Sequence, residues 1–143
     1  MPTAIIHREL SKSLIGAFYE VYDRLGYGFL EQVYVRSLGI ALSDRGIESA
    51  LEVPVQVRFR GQVVGDYRAD LVVDGQIIVE CKTSPGIHPN HEKQLLNYLA
   101  ASRYRLGYLL NFGPRPAFRR FVMSYGLTRR SGLAVDVVRT DDS

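Results

Sequence analysis

Apolar and polar positions change rhythm along this chain. In residues 8–25, Leu10, Leu14, Ile15, Phe18, Val21, Tyr22 and Leu25 recur at helical spacing, the stripe one face of an amphipathic helix needs. Ser11 is an early cap candidate, and Gly26 and Gly28 break the chain as glycines past a helix end do. A second helix is predicted over 30–44, closed by Gly46. The period then shortens to two. Val53, Val55, Val57 and Phe59 alternate with Pro54, Gln56 and Arg58, which predicts a strand over 52–59, with Pro54 at an edge or strand start. Arg60-Gly61 reads as a turn into a second strand over 63–73. Asp74-Gly75 is a hairpin signal leading into a third strand over 76–82. The unbroken run Ile77-Ile78-Val79 predicts a strand covered on both faces.

A loop over 83–90 holds Pro85, Gly86 and Pro89. A third helix is predicted over 91–103, with Leu95, Tyr98 and Leu99 on one face. The strand expected over 107–112 follows a helix, so a right-handed crossover and parallel pairing are expected. A short edge strand over 118–123 and a further strand over 134–138 are expected, with 140–143 frayed. The order α-α-β-β-β-α-β makes an α/β fold, a mixed central β-sheet flanked by helices. It suits a single domain with its core over about 8–123 and a variable tail over 124–143.

Composition changes this picture little. The 143 residues suit one hydrophobic core. No apolar run reaches the roughly 18–20 residues of a membrane span, and the first residues lack the basic start and apolar stretch of a signal peptide. The single cysteine, Cys81, has no partner for an internal disulfide, and a cytoplasmic setting is expected. The net charge is +3, and its placement is uneven. Arg103, Arg105, Arg115, Arg119, Arg120, Arg129 and Arg130 lie in a stretch without an acid. Such a stretch suits phosphate contacts and equally a solvated basic surface.

The candidate chemistry centres on Asp70 and Glu80-Cys81-Lys82. Glu80 and Lys82, two apart on a strand, share one face, while Cys81 points to the other as a small core residue. Asp70 lies on the preceding strand across the hairpin. Two carboxylates can thus meet beside an ammonium. Magnesium takes one or two carboxylates plus water and substrate phosphate, and a metal there can act on a scissile phosphate. Lys82 would stabilise charge on the phosphate oxygens or orient an attacking water. The same pair also suits an ordinary surface ion pair. Parity supplies a test. A plain two-residue turn at Asp74-Gly75 would put Asp70 opposite Val79 and turn Glu80 to the other face. A shared cation therefore requires an odd loop, such as Val73-Asp74-Gly75, or a bulge near Asp70.

Glu31 shares a helix stripe with Tyr34, Leu38 and Leu42. It is a candidate third carboxylate, with Tyr34 one turn on to hold it. Gln94 and Tyr98, four apart, can both face the sheet, either to orient water or nucleic-acid backbone or as a core tyrosine with glutamine at the rim. His91 could reach a phosphate or serve as a cap. The three histidines are too scattered for a zinc site, and no Walker-type loop occurs.

Taken together, Gly28-x-x-Glu31-x-x-Tyr34, Asp70, Glu80-x-Lys82, His91-x-x-Gln94-x-x-x-Tyr98-Leu99 and Leu110-Asn111-Phe112-Gly113 follow the order of the GxxExxY family. The chain resembles that family over about 10–123. GxxExxY proteins are compact relatives of the PD-(D/E)xK nucleases, with a restriction-endonuclease-like core. The resemblance implies that Asp70 and Glu80 bind Mg2+ or Mn2+ with the Cys81 backbone carbonyl. It implies that Lys82 is catalytic, that Glu31 and Gln94 join the site, and that Tyr34, His91 and Tyr98 support it. The expected function is a Mg2+-dependent nuclease acting on DNA, or on RNA. The alternative is a non-catalytic nucleic-acid-binding or accessory module on the same fold, and a third possibility is a protein-interaction domain. No membrane partner is expected, and homodimerisation is left open.

Overall fold

The computed structural model of the chain describes residues 3–123 and 135–140, with side chains over 7–123. Helix α1 runs over Thr3–Leu25, starting before the expected stripe. Leu14, Ala17, Phe18 and Val21 bury its apolar face. Gly26, with φ +67, follows it. Helix α2 covers Glu31–Asp44 and buries Tyr34, Val35, Leu38, Ala41 and Leu42. At its end Gly46 takes φ +75; its amide and that of Ile47 bond back to Ser43 and Leu42 carbonyls, satisfying groups a helix end leaves open.

Strands β1 (Ser49–Phe59), β2 (Gln62–Val73) and β3 (Ile77–Lys82) follow, then α3 (Pro89–Ala101), β4 (Leu106–Phe112), β5 (Pro116–Met123) and β6 (Val135–Thr140). They form one six-stranded sheet in sequence order. All pairings are antiparallel except β3 with β4, which is parallel across the α3 crossover, as expected. Helix α3 starts two residues earlier than expected. His88 is its N-cap and Pro89 sits in its first turn, where a missing N–H removes no helix bond. Strand β5 is not an edge. The segment set aside as tail supplies β6 outside it; residues 124–134 and 141–143, with Arg129, Arg130 and Ala134 among them, lie outside the described residues.

The core divides by sheet face. Leu71, Val73, Ile77, Val79, Cys81, Leu110 and Phe112 pack with α1 and α2. Val72, Ile78, Leu109 and Phe121 pack with Leu95, Tyr98 and Leu99 of α3. Strand β3 is thus buried on both faces, as its unbroken apolar run requires.

The β2–β3 register decides where the acids go. Val73 pairs with Ile77, Val72 with Ile78 and Leu71 with Val79, so the loop is Asp74-Gly75-Gln76. It has the expected odd length but sits one residue later than Val73-Asp74-Gly75. Asp74 and Gly75 both take positive φ, 51 and 65, and the Gln76 amide bonds the Val73 carbonyl. The ladder stops at Leu71–Val79, and the next positions in register are Asp70 and Glu80. Strand β1 is irregular at the same level: Leu51 pairs with Leu71 and Val53 with Ala69, while Glu52 between them has φ +52. The alternation in β2 breaks there too, because Leu71 joins the α1–α2 cluster whereas Ala69, an even step away, joins the α3 cluster.

Candidate active site

Where β2 peels from β3, each acid takes over a backbone amide. The Asp70 N–H donates to Glu80 Oε1 at 2.8 Å, and the Cys81 N–H donates to Asp70 Oδ2 at 2.9 Å. The two side chains replace ladder bonds the splayed strands no longer make, which satisfies buried amides and holds the carboxylates together. Glu80 is only 2% exposed. Burial and then the Asp70 charge push its pKa up to about 8, against the pull of the Asp70 amide and Lys82. Asp70 is raised as well, by burial first, with the Cys81 amide and Lys82 opposing. A buried and a half-buried acid this close cannot both ionise cheaply without a cation.

Lys82 does not pair directly with them. Its Nζ donates to Gln94 Oε1 at 2.8 Å, and Gln94 Nε2 donates to the Tyr98 hydroxyl at 3.1 Å. Gln94 therefore faces the site, while Tyr98 is the buried tyrosine beneath it, 4% exposed. Burial and the nearby Glu80 push the Tyr98 phenol up to about 12, so it stays a neutral hydrogen-bonding group.

Glu31 is the first residue of α2. Its side chain is exposed at the rim rather than buried with the stripe of Tyr34, Leu38 and Leu42. It nevertheless senses the site: burial and Asp70 raise its pKa, Lys82 lowers it, and its charge raises Glu80. Tyr34 does not hold Glu31. Its hydroxyl donates to the Gly26 carbonyl at 2.7 Å and accepts from the Phe29 amide at 3.2 Å, and its ring stacks on Phe112 at 4.5 Å. It pins the loop in which Gly28 takes φ +113, a conformation only glycine adopts readily, and so fixes where Glu31 begins its helix.

His91 is a capping residue. Its Nδ1 accepts the His88 amide at 3.1 Å, and burial, Lys82 and His88 lower its pKa, consistent with a neutral acceptor. The Cys81 side chain is buried in the α1–α2 cluster. Arg119 pairs with Glu92 of α3; Arg103 and Arg115 are exposed.

Three residues had no role in the sequence reading. Glu52 faces Asp70 across the sheet irregularity, accepts from Gln32 at 3.3 Å, and its charge raises Asp70. Only its place as an acid between Leu51 and Val53 hinted at this. Asn111 bonds both backbone groups of Ser84, Nδ2 to the carbonyl at 2.9 Å and Oδ1 from the amide at 3.1 Å. Gly113 leaves a Cβ no space, since one would lie 2.0 Å from the Ser84 carbonyl oxygen. Asn111 and Gly113 fix the loop that follows Lys82.

Among the described residues no group of three or more His, Cys, Asp or Glu side chains is placed to hold a metal ion. Asp70 and Glu80 are two hard oxygen donors, Glu80 buried and Asp70 half-buried, and their side chains hydrogen-bond one another. That fits a hard divalent cation that completes its shell with water and substrate phosphate. It does not suit zinc.

No curated protein matches the chain. The crystal structure of SSO0001 is similar at 19% identity over 78% of the chain, with a TM-score of 0.44; the chain spans 50% of that protein's length. A family model described as the PD-(D/E)XK nuclease superfamily matches residues 8–121, from α1 into β5, and the chain belongs to that superfamily.

Proposed function

We propose that this protein is a magnesium-dependent nuclease that hydrolyses phosphodiester bonds in DNA, and that it stands in the GxxExxY branch of its superfamily. Members of the superfamily generally use divalent metal ions. The observation that carries the reading is the reciprocal bonding of Asp70 and Glu80 to each other's strands, which brings two strained carboxylates to one point beside Lys82. Asp70, Glu80 and the Cys81 carbonyl would hold the ion, with Glu31 a further carboxylate at the rim. A bound divalent ion supplies Lewis-acid activation of the phosphate and neutralises developing charge.

The chain's own residues do the rest. Lys82, fixed by Gln94, presents an ammonium to the phosphate oxygens or to the attacking water, where charge develops in the transition state. Tyr98 keeps Gln94 oriented so that its oxygen faces Lys82. Tyr34, Asn111 and Gly113 position the loops that carry Glu31 and follow Lys82.

The test is incubation of purified protein with single-stranded, double-stranded and branched DNA, and with RNA, with and without Mg2+ or Mn2+. Cleavage is expected only with the ion and should be lost in Glu80→Ala. Cleavage that survives both chelation and Glu80→Gln discards the reading. Metal-independent binding without cleavage would establish the accessory module instead.

A further inference from the structure

Strands β1 and β2 stay paired from Val53–Ala69 out to Phe59–Gln62, whereas the β2–β3 ladder stops at Leu71–Val79. Residues 53–69 are therefore a two-stranded arm that leaves the sheet at Asp70 and extends about 20 Å at the usual rise per residue. Its base packs on α3 through Val55 and Ala69. Its outer part is open and unusually apolar. Phe59 is 62% exposed and Tyr67 is 47% exposed, with Val57, Val63 and Val64 also open. Val55 and Val57 alternate along β1 and so project to one side, paired with Tyr67 and Gly65; a bulge between Val57 and Arg58 separates them from Phe59 at the tip. The Tyr67 ring lies 5.9 Å from Tyr98, whose hydroxyl meets the Gln94 amide that holds Lys82. Tyr67 thus joins the arm to the site, and Phe59 stands exposed at the arm's tip.

The charge agrees. Residues 53–69 carry Arg58, Arg60 and Arg68 against one acid, Asp66. The Arg60 guanidinium lies 5.1 Å from the Phe59 ring centre, and Arg58 bonds Gln56 and the Gly61 carbonyl, stiffening the tip. Aromatic rings flanked by arginine are the surface on which unpaired bases stack while cations meet phosphates. A second copy of the chain fits less well. A symmetric pairing of tips would bring like charges together, and Pro54 interrupts the donors along the β1 edge. Resting on the nuclease reading above, we propose that the arm binds single-stranded nucleic acid. Phe59 and Tyr67 stack bases and Arg58 and Arg60 contact phosphates, and the arm leads the strand to Asp70 and Glu80.

The experiment measures anisotropy of labelled single-stranded and duplex oligonucleotides with the Lys82→Ala protein in magnesium, with and without Phe59→Ala or Arg58→Ala/Arg60→Ala. Wild-type cleavage and sedimentation are run in parallel. Phe59→Ala should weaken single-strand binding about tenfold and duplex binding far less. The double arginine variant should flatten the salt dependence. Both substitutions are at exposed positions and should leave the thermal midpoint in place. Unchanged single-strand binding, or equal loss for both ligands, overturns the inference. So does a wild-type dimer that Phe59→Ala dissociates, which would make the arm a contact between copies. If wild type cleaves while the arm variants bind normally, only the arm is refuted. If wild type neither binds nor cleaves, the nuclease reading falls too.

Discussion

Glu80 sits where an ionised carboxylate is costly, and that cost is measurable without any substrate. Folded Glu80 keeps its proton up to about 8, against an ordinary value of 4.5, so between those values the folded state binds more protons than the unfolded state. The slope of unfolding free energy with pH is then negative. Without divalent ions, stability should fall as pH rises from about 5 to 8, by on the order of a few kcal/mol, and urea midpoints at both ends check it. Glu80→Gln should flatten that fall, and magnesium at pH 8 should raise the wild-type midpoint but not that of Glu80→Gln. A flat wild-type profile would mean that Glu80 is better solvated than its burial implies. Lys82 belongs to the same scale. Lys82→Ala should lower the cleavage rate by about 10²–10³ while leaving oligonucleotide binding largely intact, and single-turnover rates beside binding isotherms separate the two effects.

At the scale of elements, the loops beside the site are held by single hydrogen-bonding side chains. Tyr34→Phe removes the bonds to Gly26 and Phe29 and should cost about 1–2 kcal/mol, with a fall in activity if Glu31 contributes to the site. Gly113→Ala drives a Cβ into the Ser84 carbonyl and should destabilise by more than about 2 kcal/mol or displace the loop after Lys82; denaturant melts beside activity distinguish these. Much of this scale was legible in the sequence. The helical stripes and the period-two strands placed the elements, and parity, given a cation shared by Asp70 and Glu80, required an odd β2–β3 loop or a bulge near Asp70, of which the structure has the odd loop. Parity could not say which residues form that loop, because the position depends on Asp74 and Gly75 both adopting positive φ. The role of Tyr34 was misread because helical spacing placed it near Glu31 but could not reveal that its hydroxyl reaches back to Gly26. The contacts of Asn111 and Gly113 with Ser84 were not legible in the sequence, since Ser84 is distant along the chain and met only through the parallel β3–β4 pairing.

Across the whole molecule, one sheet joins two packed cores and leaves the acids at the point where three strands depart from regular pairing. Strand β6 covers the outer edge of β5. A chain ending at Met123 should keep the Asp70–Glu80 arrangement but expose that edge and self-associate, which sedimentation would detect. Asp70, Glu80 and Lys82 are proposed above as a metal-dependent nuclease centre. Its most direct test is the rate of DNA cleavage by wild type, Glu80→Gln and Lys82→Ala, with magnesium and with chelator. Wild type is expected to cleave with magnesium, with cleavage abolished by chelation and by Glu80→Gln and strongly reduced in Lys82→Ala. Equal cleavage by wild type and Glu80→Gln, persisting in chelator, would contradict it.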